Sequence, residues 1–381
     1  MLMKVVVVSS LMLTLQLTSL NALYKFLGDY AGVSALVMLL AAAAVYSAMM
    51  HPVLGRRYVE PICRGPWVAA VVIAAIVLVS LLLYPVADAL KEHMGGSDRD
   101  DAVIVGVRAL FDGEYPYGKK TYFGSWLSPG PGLLLLYAPF VGLDLYALGA
   151  GASLATCAFL LKRQHDSWVV ASLFLLLAAS SLLFWQELAT GSDLIFVGSC
   201  FLGILLVLQH SDSRRTIFLC AVFCGVISTS RVVFLYIPFL IGVPLWLRSK
   251  GDAIKFVAIS SVIAVGLHAA FYLWAPDSYT PLHILSQGGG LLAGNFMYLF
   301  VAICLIAGGF IVRAARRGPD SWVAALFLGL VTPLFMLAVA GLRVKGWQLQ
   351  GANPANYLTP ALPACCAYAA IRIRQSWLAG K

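Results

Sequence analysis

Long apolar runs separated by short polar connections dominate the chain. They lie at 5–24, 30–50, 67–88, 132–161, 168–186, 194–209, 216–230, 232–247, 256–275, 295–312, 321–341 and 357–371. Most are long enough for a helix to cross a bilayer, which takes about 17–25 residues. The pattern therefore predicts about twelve spans. The run at 132–161 is interrupted by Pro139 and Gly142, which predicts a tilted, kinked or partly re-entrant segment. The seventh and eighth runs meet at the polar stretch Ser228, Thr229, Ser230 and Arg231, so these two also read as one broken segment. A membrane barrel would instead show alternating segments of about ten residues. The predicted fold class is all-α: a polytopic transmembrane helical bundle forming one domain over residues 1–381.

Composition agrees with that pattern. The chain is 61% hydrophobic and 11% charged, whereas a soluble domain carries about 25% charged residues. The net charge of +9 does not point to nucleic acid, because Lys and Arg sit in the connections, where the positive-inside rule puts them. Seven of the eight cysteines fall inside apolar runs and read as small buried hydrophobes. The first run lacks a small-residue cleavage motif and reads as a span rather than a removable signal.

Charge also predicts orientation. With the N-terminus cytoplasmic, the inner connections hold Arg56, Arg57, Arg64, Lys162, Arg163, Arg214, Arg215, Arg248, Lys250, Arg313, Arg316, Arg317, Arg372 and Arg374. The short outer connections hold only Lys25, Arg231, Arg343 and Lys345. Both termini are then expected in the cytoplasm. The largest connection, 89–131, falls outside, as do the smaller loops 276–294 and 342–356. Chemistry is expected there, since loops on a rigid scaffold carry sites.

The first outer loop opens with Asp98, Asp100 and Asp101. In the next stretch, Val103, Val107, Leu110 and Phe111 share one helical face, while Arg108 and Asp112 lie off it. This predicts an amphipathic interfacial helix, with Ser97 or Asp98 as its cap and Asp100 and Asp101 in its first turn, where acids complement the helix dipole. Gly113, Pro116 and Gly118 predict turns. Tyr115, Tyr117, Tyr122, Phe123 and Trp126 suit either an interfacial aromatic belt or the face of a sugar. Pro129 and Pro131 open the following run, where proline is tolerated. Glu187 and Asp193 border another outer turn, where they read as functional acids, against capping of the next helix by Ser192 or Asp193.

An acidic pair, an amphipathic helix, a Gly-x-x-Pro-Tyr turn (Gly113, Pro116, Tyr117) and a proline-rich entry into a span follow in that order. In this the loop resembles the first outer loop of the GT-C glycosyltransferases, in particular the bacterial lipid-linked mannosyl-, arabinosyl- and aminoarabinosyltransferases. The stretch 353–368 is similar to the family's last span, although Asn356-Tyr357 stands where the family tends to have Arg-Tyr. The resemblance implies an integral-membrane hexosyl- or pentosyltransferase of cell-envelope biogenesis in a bacterial inner membrane, with its active site on the periplasmic side. Its partners would be a polyprenyl-phosphate sugar donor, a lipid, glycan or protein acceptor, and membrane lipids.

Such a transfer needs a base for the acceptor hydroxyl, groups that stabilise the departing phosphate, and exclusion of water. Offset to the Gly-x-x-Pro-Tyr turn makes Asp100 the first choice for an inverting base and Asp101 the alternative. Arg343, Lys345 and Arg231 are the candidate phosphate ligands, against a competing reading as lipid-snorkelling cations. Tyr117, Tyr122, Trp126, Asp98 and His283 are candidate substrate contacts. No cofactor and no metal ligand set is expected, although the carboxylates also suit a divalent cation. The main alternative to an enzyme is a transporter or flippase, which should have interrupted helices and ionisable residues at mid-depth.

Overall fold

The computed structural model describes residues 2–91, 97–282, 295–344 and 353–379. Among these the regular secondary structure is all helical, with one isolated antiparallel bridge between Lys120 and Trp126. In chain order the helices are α1 (Met3–Lys25), α2 (Ala31–Met49), α3 (Trp67–Ala89), α4 (Arg99–Phe111), α5 (Pro131–Gly142), α6 (Leu148–His165), α7 (Trp168–Ala179), α8 (Leu182–Ala189), α9 (Leu194–Gln209), α10 (Arg214–Ser228), α11 (Ile237–Arg248), α12 (Lys250–Trp274), α13 (Asn295–Ala315), α14 (Asp320–Val344) and α15 (Leu362–Ala379). Short helical pieces between Pro52 and Cys63 join α2 to α3.

Six of these helices, α1, α2, α3, α12, α13 and α14, are long and apolar enough to cross a membrane, or seven counting the α7–α8 pair as one span. That is fewer than the twelve runs predict, for identifiable reasons. The run 132–161 divides into α5 and α6, with Asp144 at φ 55° between them. The run 168–186 breaks at Ser180–Ser181, and α7 and α8 are bent by 79°. The seventh and eighth runs are two separate helices rather than one broken segment. Apolar composition marks burial in lipid and burial in protein alike: α9 is buried along nearly its whole length by its neighbours, whereas α2 and α13 turn large side chains such as Leu36, Leu40, Leu305 and Phe310 outward.

The break at Ser180–Ser181 is filled by polar groups that meet one another. The Ser19 hydroxyl accepts from the backbone N–H of Leu183 at 3.0 Å, Ser181 donates to the Leu15 carbonyl at 3.0 Å, and the hydroxyls of Tyr46 and Ser180 are 2.7 Å apart. Away from water a freed backbone group costs several kcal/mol, roughly, unless it finds such a partner.

The connections gather at two ends. At one, Gln209 donates to the Pro319 carbonyl, Arg248 to the carbonyls of Leu208 and Ser211, and Arg374 to that of His165. This is the end rich in Lys and Arg. At the other, the 97–130 loop meets the turn between α8 and α9, the 229–236 connection and the end of α12. Entry into α5 is fixed by close approach to the end of α10: the Gly130 N–H donates to the Ser230 carbonyl at 2.9 Å and that of Gly132 to Thr229 Oγ1 at 2.8 Å. A Cβ on Gly130 would stand 1.6 Å from the Thr229 carbonyl oxygen, so that turn accepts no side chain.

Candidate functional site

The acidic end of α3 and the first turn of α4 bring Asp88, Asp100 and Asp101 together at the second end. The buried stripe of α4 runs through Asp100, Val103 and Val107 at helical spacing, so Asp100 faces inward with the apolar residues. The small residues Ala102, Gly106 and Ala109 widen that face and let α4 lie close on α5, where Gly106 meets Leu134. On the apolar face expected at the membrane interface, Phe111 is mostly exposed and Leu110 is half-buried. Arg108 and Asp112 turn outward as predicted.

Asp100 is 2% exposed. Its Oδ2 accepts from the Tyr84 hydroxyl at 2.9 Å, and its Oδ1 has no hydrogen-bond partner. Gly191, at φ 66°, closes over it: a Cβ there would lie 3.1 Å from the Asp100 Cβ. Burial raises the Asp100 pKa to about 7 against the pull of the Tyr84 hydrogen bond, which lowers it, and the charges of Asp101 and Asp88 raise it further. A carboxyl in that state exchanges a proton near neutrality, as a general base does.

One residue further round the helix, Asp101 leaves the buried face and meets Lys91, whose Nζ lies 3.0 Å from both carboxylate oxygens and 2.7 Å from Asp88 Oδ1. Burial would lower the Lys91 pKa, but the hydrogen bonds to Asp88 and Asp101 outweigh it and the net shift is upward. The same ammonium lies 5.0 Å from the centre of the Tyr122 ring. One oxygen each from Asp88, Asp100 and Asp101 falls within 4.8 Å of the others, a spacing a divalent cation accepts. Lys91 already supplies a positive charge to two of the three, so these residues fit a metal ion only with the ammonium displaced.

The remaining candidates divide. Asp98 makes no capping hydrogen bond to α4; Ser97 accepts from the Arg99 N–H at 3.3 Å, and the Asp98 carboxylate instead accepts from Thr121 at 2.6 Å, tying two parts of the loop together. Tyr117 is fully buried, donates to the Pro129 carbonyl at 2.9 Å and packs edge-on against Tyr279. Its ring is part of the loop's own core and offers no face to a sugar, which corrects the reading of Tyr117 as a substrate contact. Tyr122 and Trp126 are each 54% exposed, and Trp126 carries Lys120 Nζ at 4.6 Å from its ring centre.

Arg231 is committed elsewhere. Its Nη2 lies 2.9 and 3.0 Å from the two oxygens of Asp193, which is fully buried, and its Nη1 donates to Ser128 at 2.6 Å. The outer cation read from sequence as a phosphate ligand is thus one half of an internal ion pair that joins α9 to the 128–130 turn. Arg343, in the last turn of α14, is exposed and sits 5.4 Å from the Phe296 ring centre; among the described residues no hydrogen bond or ion pair joins it to the acids. Lys345 and His283 lie outside the described residues.

Sequence reasoning did not single out Tyr84, Asp88, Lys91 or Arg99. The first three sit at the end of a strongly apolar run, where they read as span edge. Arg99 lies within the acid cluster and pairs with buried Glu187 at 3.2 Å. Beside Tyr84 opens a cavity of about 290 Å³, also lined by Ser80, Ile104, Arg108, Asp144 and Tyr146. Asp100 does not line this cavity, but its hydrogen-bond partner Tyr84 does.

No protein-family model matches the chain, and neither does a curated protein or a solved structure.

Proposed function

We propose that the protein is a membrane glycosyltransferase that moves a sugar from a polyprenyl-phosphate donor to a hydroxyl acceptor, with Asp100 as the general base. The observation that carries the reading is the state of Asp100: a buried carboxyl with one oxygen tied to Tyr84, the other unpartnered, and a pKa near 7. In the proposed step the acceptor oxygen attacks the anomeric carbon and its proton passes to Asp100, directly or through the Tyr84 hydroxyl. The bond from carbon to the phosphate oxygen breaks, and polyprenyl phosphate leaves with the bonding electrons. Arg343, with Lys345, is the proposed phosphate contact; Tyr122 and Trp126 are the proposed sugar platforms. The finer topology belongs to the same proposal: about twelve crossings or partial crossings, both termini cytoplasmic, and the acid end facing outward.

The broken pair α7–α8 favours a second reading, since transporters bind substrate at interrupted helices. Its polar groups, however, largely partner one another. Reconstitution of the purified protein with a labelled lipid-linked sugar separates the two. Acceptor-dependent release of polyprenyl phosphate, abolished in Asp100→Asn, supports the transferase; passage of intact substrate across the bilayer without covalent change refutes it.

A further inference from the structure

At the opposite, basic end of the bundle, three cations from separate parts of the chain converge on one cavity of about 480 Å³. Arg64 comes from the α2–α3 connection, Lys162 from the end of α6 and Arg374 from α15. Their nearest carboxylates leave positive charge in surplus. Glu60 is shared between Arg64 at 3.3 Å and Arg56 at 4.0 Å. Asp166 also lines the recess but is fully exposed and stands 3.9 Å from Lys162, beyond hydrogen-bonding reach, so three cations face two carboxylates there. Arg374 is half-buried and uses Nη1 on the His165 carbonyl at 3.1 Å. Trp168, half-buried, forms part of the wall, and its ring suits the boundary between headgroup and acyl chain.

Cations spread over inner connections serve membrane orientation one by one. These three instead face a common recess formed where two connections and the last helix meet. We propose that this recess binds the phosphate group of an anionic phospholipid from the leaflet at the basic end. The lipid headgroup would bridge α15 to the α2–α3 and α6–α7 connections. Basic pockets between helices at a membrane face bind anionic headgroups in this way. A free phosphate presents the same chemistry. The inference does not depend on the proposed transferase reaction, which concerns the other end of the molecule.

Native mass spectrometry of the full chain in detergent, titrated with phosphatidylglycerol or phosphatidylcholine, tests it. Phosphatidylglycerol is expected to be retained and phosphatidylcholine lost on activation. Arg64→Gln with Lys162→Gln is expected to weaken phosphatidylglycerol binding about 25-fold, roughly fivefold for each cation removed. Both side chains are partly exposed, at 66% and 32%, so the lipid-free melting temperature should stay unchanged. Where the pair lowers it, Arg64→Gln alone is used, with an expected fivefold or so effect. Arg215→Gln with Arg317→Gln, at the same end but off the recess, should leave binding intact. Displacement of phosphatidylglycerol by millimolar inorganic phosphate, with a rise in melting temperature from phosphate alone, would assign the recess to free phosphate; no response to phosphate assigns it to the lipid. Equal retention of the two lipids, or equal loss in the two pairs of variants, overturns the proposal.

Discussion

Replacing Asp100 by Asn should make the protein more stable above neutral pH while removing its proposed activity. Folding raises this carboxyl from 3.8 to about 7, because burial penalises its ionised form. At about 1.4 kcal/mol per pKa unit, keeping it ionised in the folded protein costs on the order of 4 kcal/mol, taken as a ceiling. The sign follows from proton linkage. A group whose folded pKa lies above its unfolded value contributes stability that is complete below the unfolded value and is lost as pH rises through the folded one. Wild type should therefore lose melting temperature between about pH 4 and pH 7. Asn carries no charge to desolvate. Its carbonyl can still accept from Tyr84, and its amide N–H groups would stand beside the carboxylates of Asp88 and Asp101. The assay is thermal unfolding in detergent by intrinsic fluorescence, for both proteins, at pH 5 and pH 8.5. The variant should melt several degrees higher than wild type at pH 8.5, and the gap should shrink to less than half at pH 5, closing only below about pH 4. A variant that melts lower than wild type at pH 8.5 would refute the argument, since Asp100 would then be an ionised, stabilising partner.

Transfer activity should rise with pH through about 7, as Asp100 loses its proton, and Tyr84→Phe, which removes a hydrogen bond that favours the carboxylate, should move that rise to higher pH in a rate–pH profile. Arg231→Gln or Asp193→Asn alone should cost about 3–5 kcal/mol by leaving a buried charge unpaired, and the double variant should recover most of the loss in a denaturation series. Gly130→Ala should lower the yield of folded protein sharply in size-exclusion chromatography, because its Cβ has no room beside Thr229. Single cysteines at Glu114 and Asp166, both exposed, test orientation: a membrane-impermeant maleimide added to intact cells should label position 114 and spare 166.

Hydrophobic patterning marked a helical protein rich in long apolar segments and the existence of α4, and proline placement marked the entry of α5 at Pro131. They did so because these features depend on local pattern and on backbone chemistry. Gly113 turns with φ 72°, as its place after the amphipathic run implied. The number of crossings was not legible, since a run such as 194–209 is equally apolar whether lipid or protein surrounds it. Charge at the acid cluster was visible, but pairing was not. Adjacent residues in α4 point about 100° apart, and only the packing of α4 against α3 and α5 decides that Asp100 is buried against Tyr84 while Asp101 takes Lys91. The same holds for Arg231, which local sequence left as a stray outer cation. Asp193 and Ser128, distant in the chain, close on its guanidinium because α9, α10 and the Gly130 turn meet at one point.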